Sequence, residues 1–258
     1  MLRRVREWQR RRVLARHRID DVAWAAVVER VPFLADLSEQ ERARLKDWTA
    51  LFLHQKQIHG AGGYEVDEGT RLVIAAQACL LILNLDLDYY RDWVEVIVYP
   101  DEFVPQREYV DEAGVVHVVR EPLAGESWLQ GPVILSAADV DPAWHEGPLN
   151  VVIHEFAHKL DMLNGDANGM PPLHPDMEPE AWKKAFEQAY HDLRRRAERG
   201  LPTPIDAYGA ESPGEFFAVA SEAFFQAPHT LLAAYPAVYE QMRQFYRQDP
   251  AARSRAHG

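Results

Sequence analysis

The stretch from Asn150 to Leu163, N-V-V-I-H-E-F-A-H-K-L-D-M-L, constrains the fold of this chain more than any other. Most of its residues are apolar, as in a helix that is buried on nearly all sides, yet His154, Glu155 and His158 lie near its middle. Ionisable groups are costly to remove from water unless a partner compensates them. The stretch therefore predicts a buried helix together with a partner for these three side chains.

The spacing of the two histidines indicates what this partner is. On a helix, His154 and His158 are one turn apart on the same face, so both imidazoles can reach one metal ion. Glu155 points about 100 degrees away around the helix, which places its carboxylate beside such an ion. There it can accept a proton from the attacking water. The pattern predicts one Zn²⁺ per chain, with His154 and His158 as ligands and Glu155 as general base.

A catalytic zinc site needs a third protein ligand and an open position for water. The extended pattern H-E-x-x-H-x-x-G-x-x-H requires Gly and His at two later positions, where this chain has Asp161 and Asn164. The third ligand must therefore come from farther along the chain. The downstream candidates are His174, Glu178, Glu180, Glu187, His191, Glu211, Glu215 and Glu222.

The segment from Ile205 to Phe225 contains the strongest candidates for this ligand. A Ser-Pro pair at 212–213 is typical of a helix start, and Glu215 follows the cap by three residues, which also fits a capping-box acid. Glu222 recurs seven residues later on the same face of an otherwise apolar helix. Two acids on one face of a buried helix suggest that Glu215 and Glu222 supply a third ligand and a carboxylate that orients a ligand histidine through its other ring nitrogen.

The rest of the sequence predicts an α+β fold that is mainly helical with a small central β-sheet. Helices are predicted at about 20–30, 38–57, 72–87, 149–163, 178–199, 212–226 and 235–247, and strands at 93–99, 115–120 and 132–136. Ser38 and Glu41 have the spacing of a capping box. Because no regular βαβ alternation occurs, a doubly wound sheet is not expected. We expect one domain over residues 19–258, helical to about 90, with the sheet at about 91–140 and the catalytic helices at about 145–250.

The charge of the chain is unevenly distributed. The net charge of -12 argues against nucleic acid or a membrane as the main partner. Residues 1–18 nevertheless hold eight Arg and one Glu, a formal charge of +7, and we interpret them as a basic N-terminal arm that is either solvated or docked on the acidic body. No apolar signal core follows this arm. The run from Leu72 to Leu87 is too short to span a bilayer, and its Cys79 is expected to be a buried, unreactive thiol. We expect a cytoplasmic protein.

Several separated motifs occur along the chain. They are H-E-F-A-H-K-L-D from His154, N-G-D from Asn164, I-D-A-Y from Ile205, E-F-F-A-V-A-S-E-A-F-F from Glu215, V-I-V-Y-P from Val96, S-W-L-Q-G-P from Ser127 and F-Y-R-Q-D-P from Phe245. With these motifs the chain closely resembles the Mlc titration factor A family of bacterial zinc peptidases from about residue 30 to 250. Its first 18 residues lie outside the resemblance.

This resemblance implies a zincin-like metallopeptidase fold of the gluzincin type, similar to the catalytic core of anthrax lethal factor. It implies that His154, His158 and Glu215 bind zinc, that Glu155 is the general base and that Tyr208 donates a hydrogen bond to the oxyanion. A loop tyrosine without this context is more often a packing residue. The family also implies aminopeptidase-like cleavage of small peptide substrates and binding of the glucose-responsive repressor Mlc, which relieves repression of sugar-uptake genes.

Two other functions remain open from the sequence. A regulatory protein could sequester a transcription factor without catalysis, with the zinc site as a switch or a relic. Zinc could also serve only to stabilise a structural domain. Glu155 favours a hydrolase, because a purely structural site has no use for a base beside an open coordination position.

Overall fold

The computed structural model describes residues 2–100, 106–110, 116–120, 125–127, 131–140 and 150–254, which form helices, one four-stranded sheet and a separate pair of strands. The helices are α1 Leu2–Leu14, α2 Asp21–Arg30, α3 Glu39–Gln55, α4 Glu68–Leu81, α5 Ala137–Val140, α6 Val151–Asp161, α7 Pro179–Glu198, α8 Pro213–Gln226, α9 Pro228–Ala234, α10 Pro236–Tyr246 and α11 Pro250–Ser254. The strands are β1 Gln57–Gly60, β2 Glu95–Tyr99, β3 Gln106–Val110, β4 Val116–Arg120, β5 Gly125–Ser127 and β6 Val133–Ser136. The predicted α+β class is confirmed. The predicted strand residue Val115, the centre of the S-W-L-Q-G-P motif (residues 128–130) and the expected helix start at 149 lie outside the described residues.

The four-stranded sheet has the order β1-β2-β6-β5. β1, β2 and β6 run parallel, with Ile58 paired to Val96 and Val96 paired to Val133, and β5 pairs antiparallel to β6. β3 and β4 form a separate antiparallel pair. The strand β1 was not predicted, since α3 ends at Gln55 and the next residues Q-I-H-G are too few to show a strand period. Its hydrogen-bonding partner lies on β2, nearly forty residues later in the chain.

The helix α4 forms the centre of the core. From Thr70 to Leu81 every residue except Arg71 is buried, and α4 packs against α3 on one side and α6 on the other. Cys79 is fully buried as predicted, and this burial raises the pKa of its thiol well above the ordinary value. Among the residues described, no helix is both long and apolar enough to cross a membrane.

A cluster of aromatic rings holds α6 against the rest of the core. Phe156 is buried, and its ring centroid lies 5.9 Å from that of Phe52, 5.3 Å from that of Tyr90 and 5.6 Å from that of Trp93. Because Phe156 follows His154 by two residues, it points to the opposite side of the helix from both histidines. The aromatic cluster therefore fixes the back of α6 and leaves its histidine face toward α8.

The basic N-terminal segment forms α1 and docks on the body of the protein. Arg10 binds Asp86 through two hydrogen bonds of 2.6 and 3.2 Å, and Arg6 pairs with Asp88. The guanidinium of Arg10 also lies 4.9 Å from the centroid of the Trp48 ring on α3. Of the two arrangements considered for this segment, the structure therefore shows the docked one.

Candidate metal centre

Two neighbouring helices supply the predicted site. α6 carries His154, Glu155 and His158, α8 carries Glu215 and Glu222, and the two helices pack directly against each other. Local sequence explains where each helix begins. Asn150 caps α6 by accepting the Ile153 N–H at 2.9 Å, and Ser212 caps α8 by accepting the Glu215 N–H at 3.2 Å.

Three potential ligand atoms converge between these helices. Nε2 of His154 lies 3.1 Å from Nε2 of His158, and Oε2 of Glu215 lies 3.0 and 3.4 Å from these two nitrogens. A four-coordinate ion with ligand distances of about 2.1 Å requires ligand atoms roughly 3.4 Å apart. The three measured edges are within a few tenths of an ångström of this value. The donor set, two imidazoles and one carboxylate, is that of known catalytic zinc sites.

The carboxylate of Glu215 approaches both imidazoles without forming a hydrogen bond to either of them. Oε2 of Glu215 is buried and has no partner of hydrogen-bonding geometry among the described residues, although two imidazole nitrogens lie beside it. Burial would raise the pKa of Glu215, but the approach of His154 and His158 lowers it to about 2. The carboxylate is thus held in the ionised form that binds a cation. The three potential ligand atoms lie close enough together to hold one ion.

Glu222 holds one of the two histidines in a defined orientation. Oε1 of Glu222 lies 2.8 Å from Nδ1 of His154, and its other oxygen accepts the backbone N–H of Asn150. When Nδ1 donates to Glu222, Nε2 keeps its lone pair for a metal ion. Burial disfavours a charged His154, but in the metal-free site Glu215 and Glu222 outweigh this effect and raise its pKa to about 10, so a metal ion that binds Nε2 displaces a proton from it. The structure thus places Glu222 beside the histidine that the sequence analysis expected it to orient.

Glu155 lies beside the three converging atoms, and only 3% of this residue is exposed. Its Oε2 has no hydrogen-bond partner within the described part of the chain. Burial raises the pKa of Glu155, and the neighbouring His154 and His158 offset only part of this rise. A buried carboxylate with an unused oxygen and a raised pKa has the properties of a group that accepts and returns a proton.

Tyr208 lies on the open side of the site. It belongs to a short 3-10 turn, Ala207–Ala210, that begins where the Asp206 carboxylate accepts the Tyr208 N–H at 2.8 Å. Its ring centroid is 5.9 Å from that of His154, and 46% of the residue is exposed. The phenol is therefore next to the candidate metal centre and accessible to a bound molecule.

A second set of contacts, which the sequence analysis missed, joins the C-terminal end of α6 to the start of α8. Asp161 is completely buried, and its Oδ2 accepts the Gly169 N–H at 2.7 Å. The Gly169 carbonyl accepts the indole N–H of Trp182 at 3.0 Å. Gly169 itself packs against Pro213, because a Cβ at this position would lie 2.4 Å from the Pro213 carbonyl oxygen. These contacts set the position of the first turn of α8 and hence of Glu215.

Replacing Gly169 by alanine is expected to lower the free energy of unfolding by roughly 2–5 kcal/mol, because it adds a backbone clash to the strain of a positive φ. The φ of Gly169 is +78, and the obstructing atom is backbone, which cannot rotate away. Gly200→Ala is the matched control, since Gly200 has a φ of +61 but nothing within 4 Å of a Cβ. Urea unfolding of both variants measures the difference. A loss for Gly169→Ala no larger than that for Gly200→Ala would contradict the proposed packing against Pro213.

The other downstream candidates for a third ligand are not part of this cluster. Within the described residues, a single group of three or more side chains has ligand atoms close enough together to hold a metal ion, namely His154, His158 and Glu215. Nε2 of His174 instead lies 2.8 Å from the carbonyl oxygen of Phe245. Asn150 was also missed by sequence analysis, although its position directly before an apolar helix is a helix-cap signal that could have identified it.

Comparison with known proteins gives consistent matches over most of the chain. The sequence model of a family described as "Glucose-regulated metallo-peptidase M90" matches residues 5–247. A protein named Mlc titration factor A from Salmonella gallinarum (strain 287/91 / NCTC 13346) is 39% identical over 227 residues, which cover 87% of this chain and 86% of the relative. A relative of the same name from Salmonella schwarzengrund (strain CVM19633) is 38% identical over 88% of this chain and 86% of its own length. Another, from Salmonella arizonae (strain ATCC BAA-731 / CDC346-86 / RSK2980), is 39% identical over 87% of this chain and 90% of its own length.

Proposed function

Because the chain belongs to the glucose-regulated metallo-peptidase M90 family, we propose that it is a zinc-dependent, aminopeptidase-like enzyme that hydrolyses peptide bonds in the cytoplasm. The family match confirms the resemblance predicted from the separated motifs. It begins at residue 5, so most of the Arg-rich α1, which those motifs left outside the resemblance, lies within the family.

The observation that carries this proposal is the convergence of His154, His158 and Glu215 on one position beside Glu155. Zinc is the metal we propose, since two imidazoles and one carboxylate suit its ligand preference and leave a fourth position for water or substrate. When bound, zinc lowers the pKa of a water molecule to roughly 7 and polarises the scissile carbonyl. The remaining chemistry comes from the side chains of this protein.

Glu155 is the proposed general base. Its buried Oε2 takes the proton of the attacking water and later delivers it to the leaving amine, so one carboxylate serves as base and then as acid. Burial raises the pKa of Glu155, which makes its carboxylate a stronger base than an exposed one.

Three further residues support this step. Glu222 fixes the tautomer and orientation of His154, so that the imidazole is ready to bind the metal before substrate arrives. Asn150 in turn holds Glu222 through its backbone N–H. Tyr208 is the proposed donor to the oxyanion that forms as water attacks, a role that its accessible phenol beside His154 can fulfil.

A regulatory function is the second candidate, and the name of the relatives favours it. Proteins called Mlc titration factor A are named for Mlc, so we propose an Mlc-like transcriptional repressor as a protein partner of this chain. Binding of such a partner and cleavage of peptides are compatible in one molecule. If the protein only sequesters the repressor, the zinc centre acts as a switch or a relic.

Removal of the metal tests the enzymatic proposal. We expect the purified chain to hold one zinc ion, to cleave members of a peptide library, to lose this cleavage on treatment with a chelator and to regain it on addition of zinc. The chelated protein should also unfold at a lower temperature, since an ion that binds the folded state alone stabilises it by mass action. Stoichiometric zinc without cleavage of any peptide would reject the peptidase and leave the regulatory function.

A further inference from the structure

A second concave region lies far along the sequence from the metal-binding motif, between α1, α3 and the turn Leu87–Tyr90. This α1–α3 cleft has a volume of about 570 Å³ and is lined by five arginines and one aspartate, together with His17 and His54. Its volume is in the range of small-molecule sites, which is roughly 300–1,000 Å³. The body of the protein is acidic, with a net charge of -12 for the whole chain, so the cleft is a local region of opposite charge.

Part of this positive charge is used to hold α1 in place. Arg6 pairs with Asp88, and Arg10 pairs with Asp86. In a third arginine of the cleft, Arg91, Nε lies 3.4 Å from Oδ1 of Asp92. These pairs leave two arginines of the lining for other partners.

Arg12 and Arg16 are these two arginines. Among the described residues, no carboxylate forms an ion pair with either guanidinium, and the Arg12 guanidinium lies 5.4 Å from the centroid of the Trp8 ring. Arg12 lies in the last turn of α1 and Arg16 lies two residues beyond the end of this helix, so one short segment carries two like charges. An anion bound between them would be attracted by both.

The other lining groups of the α1–α3 cleft suit such an anion. The imidazoles of His17 and His54 come from different parts of the chain and lie 4.9 Å apart between ring centroids, so both can offer N–H donors to one ligand. Apolar side chains, Val13, Leu51 and Leu87, lie among these polar groups. A cleft with convergent cationic groups and apolar surface is typical of a site for a small charged molecule.

We propose that the α1–α3 cleft binds a small molecule that carries a phosphate group, with Arg12 and Arg16 as the residues that bind the phosphate. The planar guanidinium matches the oxygens of a phosphate in bidentate fashion, and a doubly charged group balances two arginines better than a single carboxylate does. The docking of α1 through Arg6 and Arg10 fixes these residues before the ligand arrives, which lowers the entropic cost of binding.

The test uses the zinc-loaded full chain and inorganic phosphate as the probe, with calorimetry at low ionic strength. The variant Arg12→Ala/Arg16→Ala should bind phosphate at least about tenfold more weakly than the unaltered protein, because it loses the charge-assisted hydrogen bonds of two guanidinium groups. The matched control is Arg71→Ala/Arg199→Ala. It removes two exposed arginines that do not line the cleft and changes the net charge equally.

Each other outcome would overturn the proposal. Equal weakening in both double variants would mean that phosphate responds to net charge and not to the cleft. Unchanged binding in Arg12→Ala/Arg16→Ala would place the phosphate elsewhere, for example at the metal centre, which both double variants retain. Binding to vesicles of phosphatidylglycerol and phosphatidylcholine through Arg12 and Arg16, without saturable phosphate binding, would assign α1 to a lipid surface instead.

Discussion

Replacing Glu155 by glutamine should leave zinc bound at one ion per chain and lower kcat/KM for peptide cleavage by about 10²- to 10⁴-fold, the usual contribution of a general base. Glutamine has nearly the same shape as glutamate, so the buried position beside His154 and His158 is filled without a cavity. The amide cannot take a proton from water at neutral pH. The effect should therefore appear almost entirely in the chemical step, with little change in the zinc affinity.

Zinc content and peptide cleavage should be measured on the same preparations, with Glu180→Gln as control for an exposed acid on α7. The control should retain full activity and full zinc. Full activity in Glu155→Gln would contradict the role of Glu155 as base. Loss of zinc together with activity would mean that Glu155 is required for the metal itself, and the assignment of Glu215 as third ligand would need revision.

Replacing Glu215 by alanine should weaken zinc binding by more than about 100-fold. Loss of a residue that merely supports a ligand already costs about 10- to 100-fold in metal affinity, and loss of a ligand should cost more. The carboxylate of Glu215 is the only negatively charged group among the three converging side chains. Its removal leaves His154 and His158 with an ion of charge +2 and no ligand to compensate that charge.

Glu222→Gln provides the graded comparison for this prediction. The amide retains the size of the side chain, but it has only one oxygen, so its NH2 group must face either His154 Nδ1 or the Asn150 N–H, and one of these two hydrogen bonds is lost. The zinc affinity should therefore fall by about 10- to 100-fold. Glu211→Ala, an exposed acid shortly before α8, should have no effect. Competition with a chelator gives the three affinities, and urea unfolding of the metal-free proteins separates lost ligation from lost folding. Full zinc affinity in Glu215→Ala would overturn the ligand assignment and turn attention to Glu222 and His174.

Much of the fold could be predicted from local sequence. The capping box of Ser38 and Glu41 is present at the start of α3, and the apolar helices α6 and α8 lie close to their predicted bounds. The predicted bounds of α4 were wrong, since this helix spans Glu68–Leu81 and not 72–87. These elements carry their own signals, because helix caps and apolar periodicity depend on residues near one another in the chain. By contrast, β1 is defined by hydrogen bonds to a distant strand, and α1 is held by ion pairs with Asp86 and Asp88, which lie about eighty positions away in the chain.

In the candidate site too, local sequence predicted some features, and others are visible only in the tertiary structure. The spacing of His154, Glu155 and His158 on one helix is a local property, so sequence alone could predict that two imidazoles face one ion with a carboxylate beside them. The sequence left eight downstream residues as candidates for the third ligand, and the family resemblance favoured Glu215 among them. Asp161 has a sequence position that suggests no role, and its function as a link to Gly169 is visible only after folding.

The sequence by itself thus determined the class of fold, the family and the helix that supplies two metal-binding histidines. The tertiary structure alone decided that Oε2 of Glu215 lies 3.0 Å from Nε2 of His154, that Glu222 reaches Nδ1 of the same ring, and that α1 encloses a cationic cleft. The physical reason is that helix periodicity fixes directions only within one helix. The packing of α6 against α8, and of α1 against α3, fixes the distances between side chains on different helices.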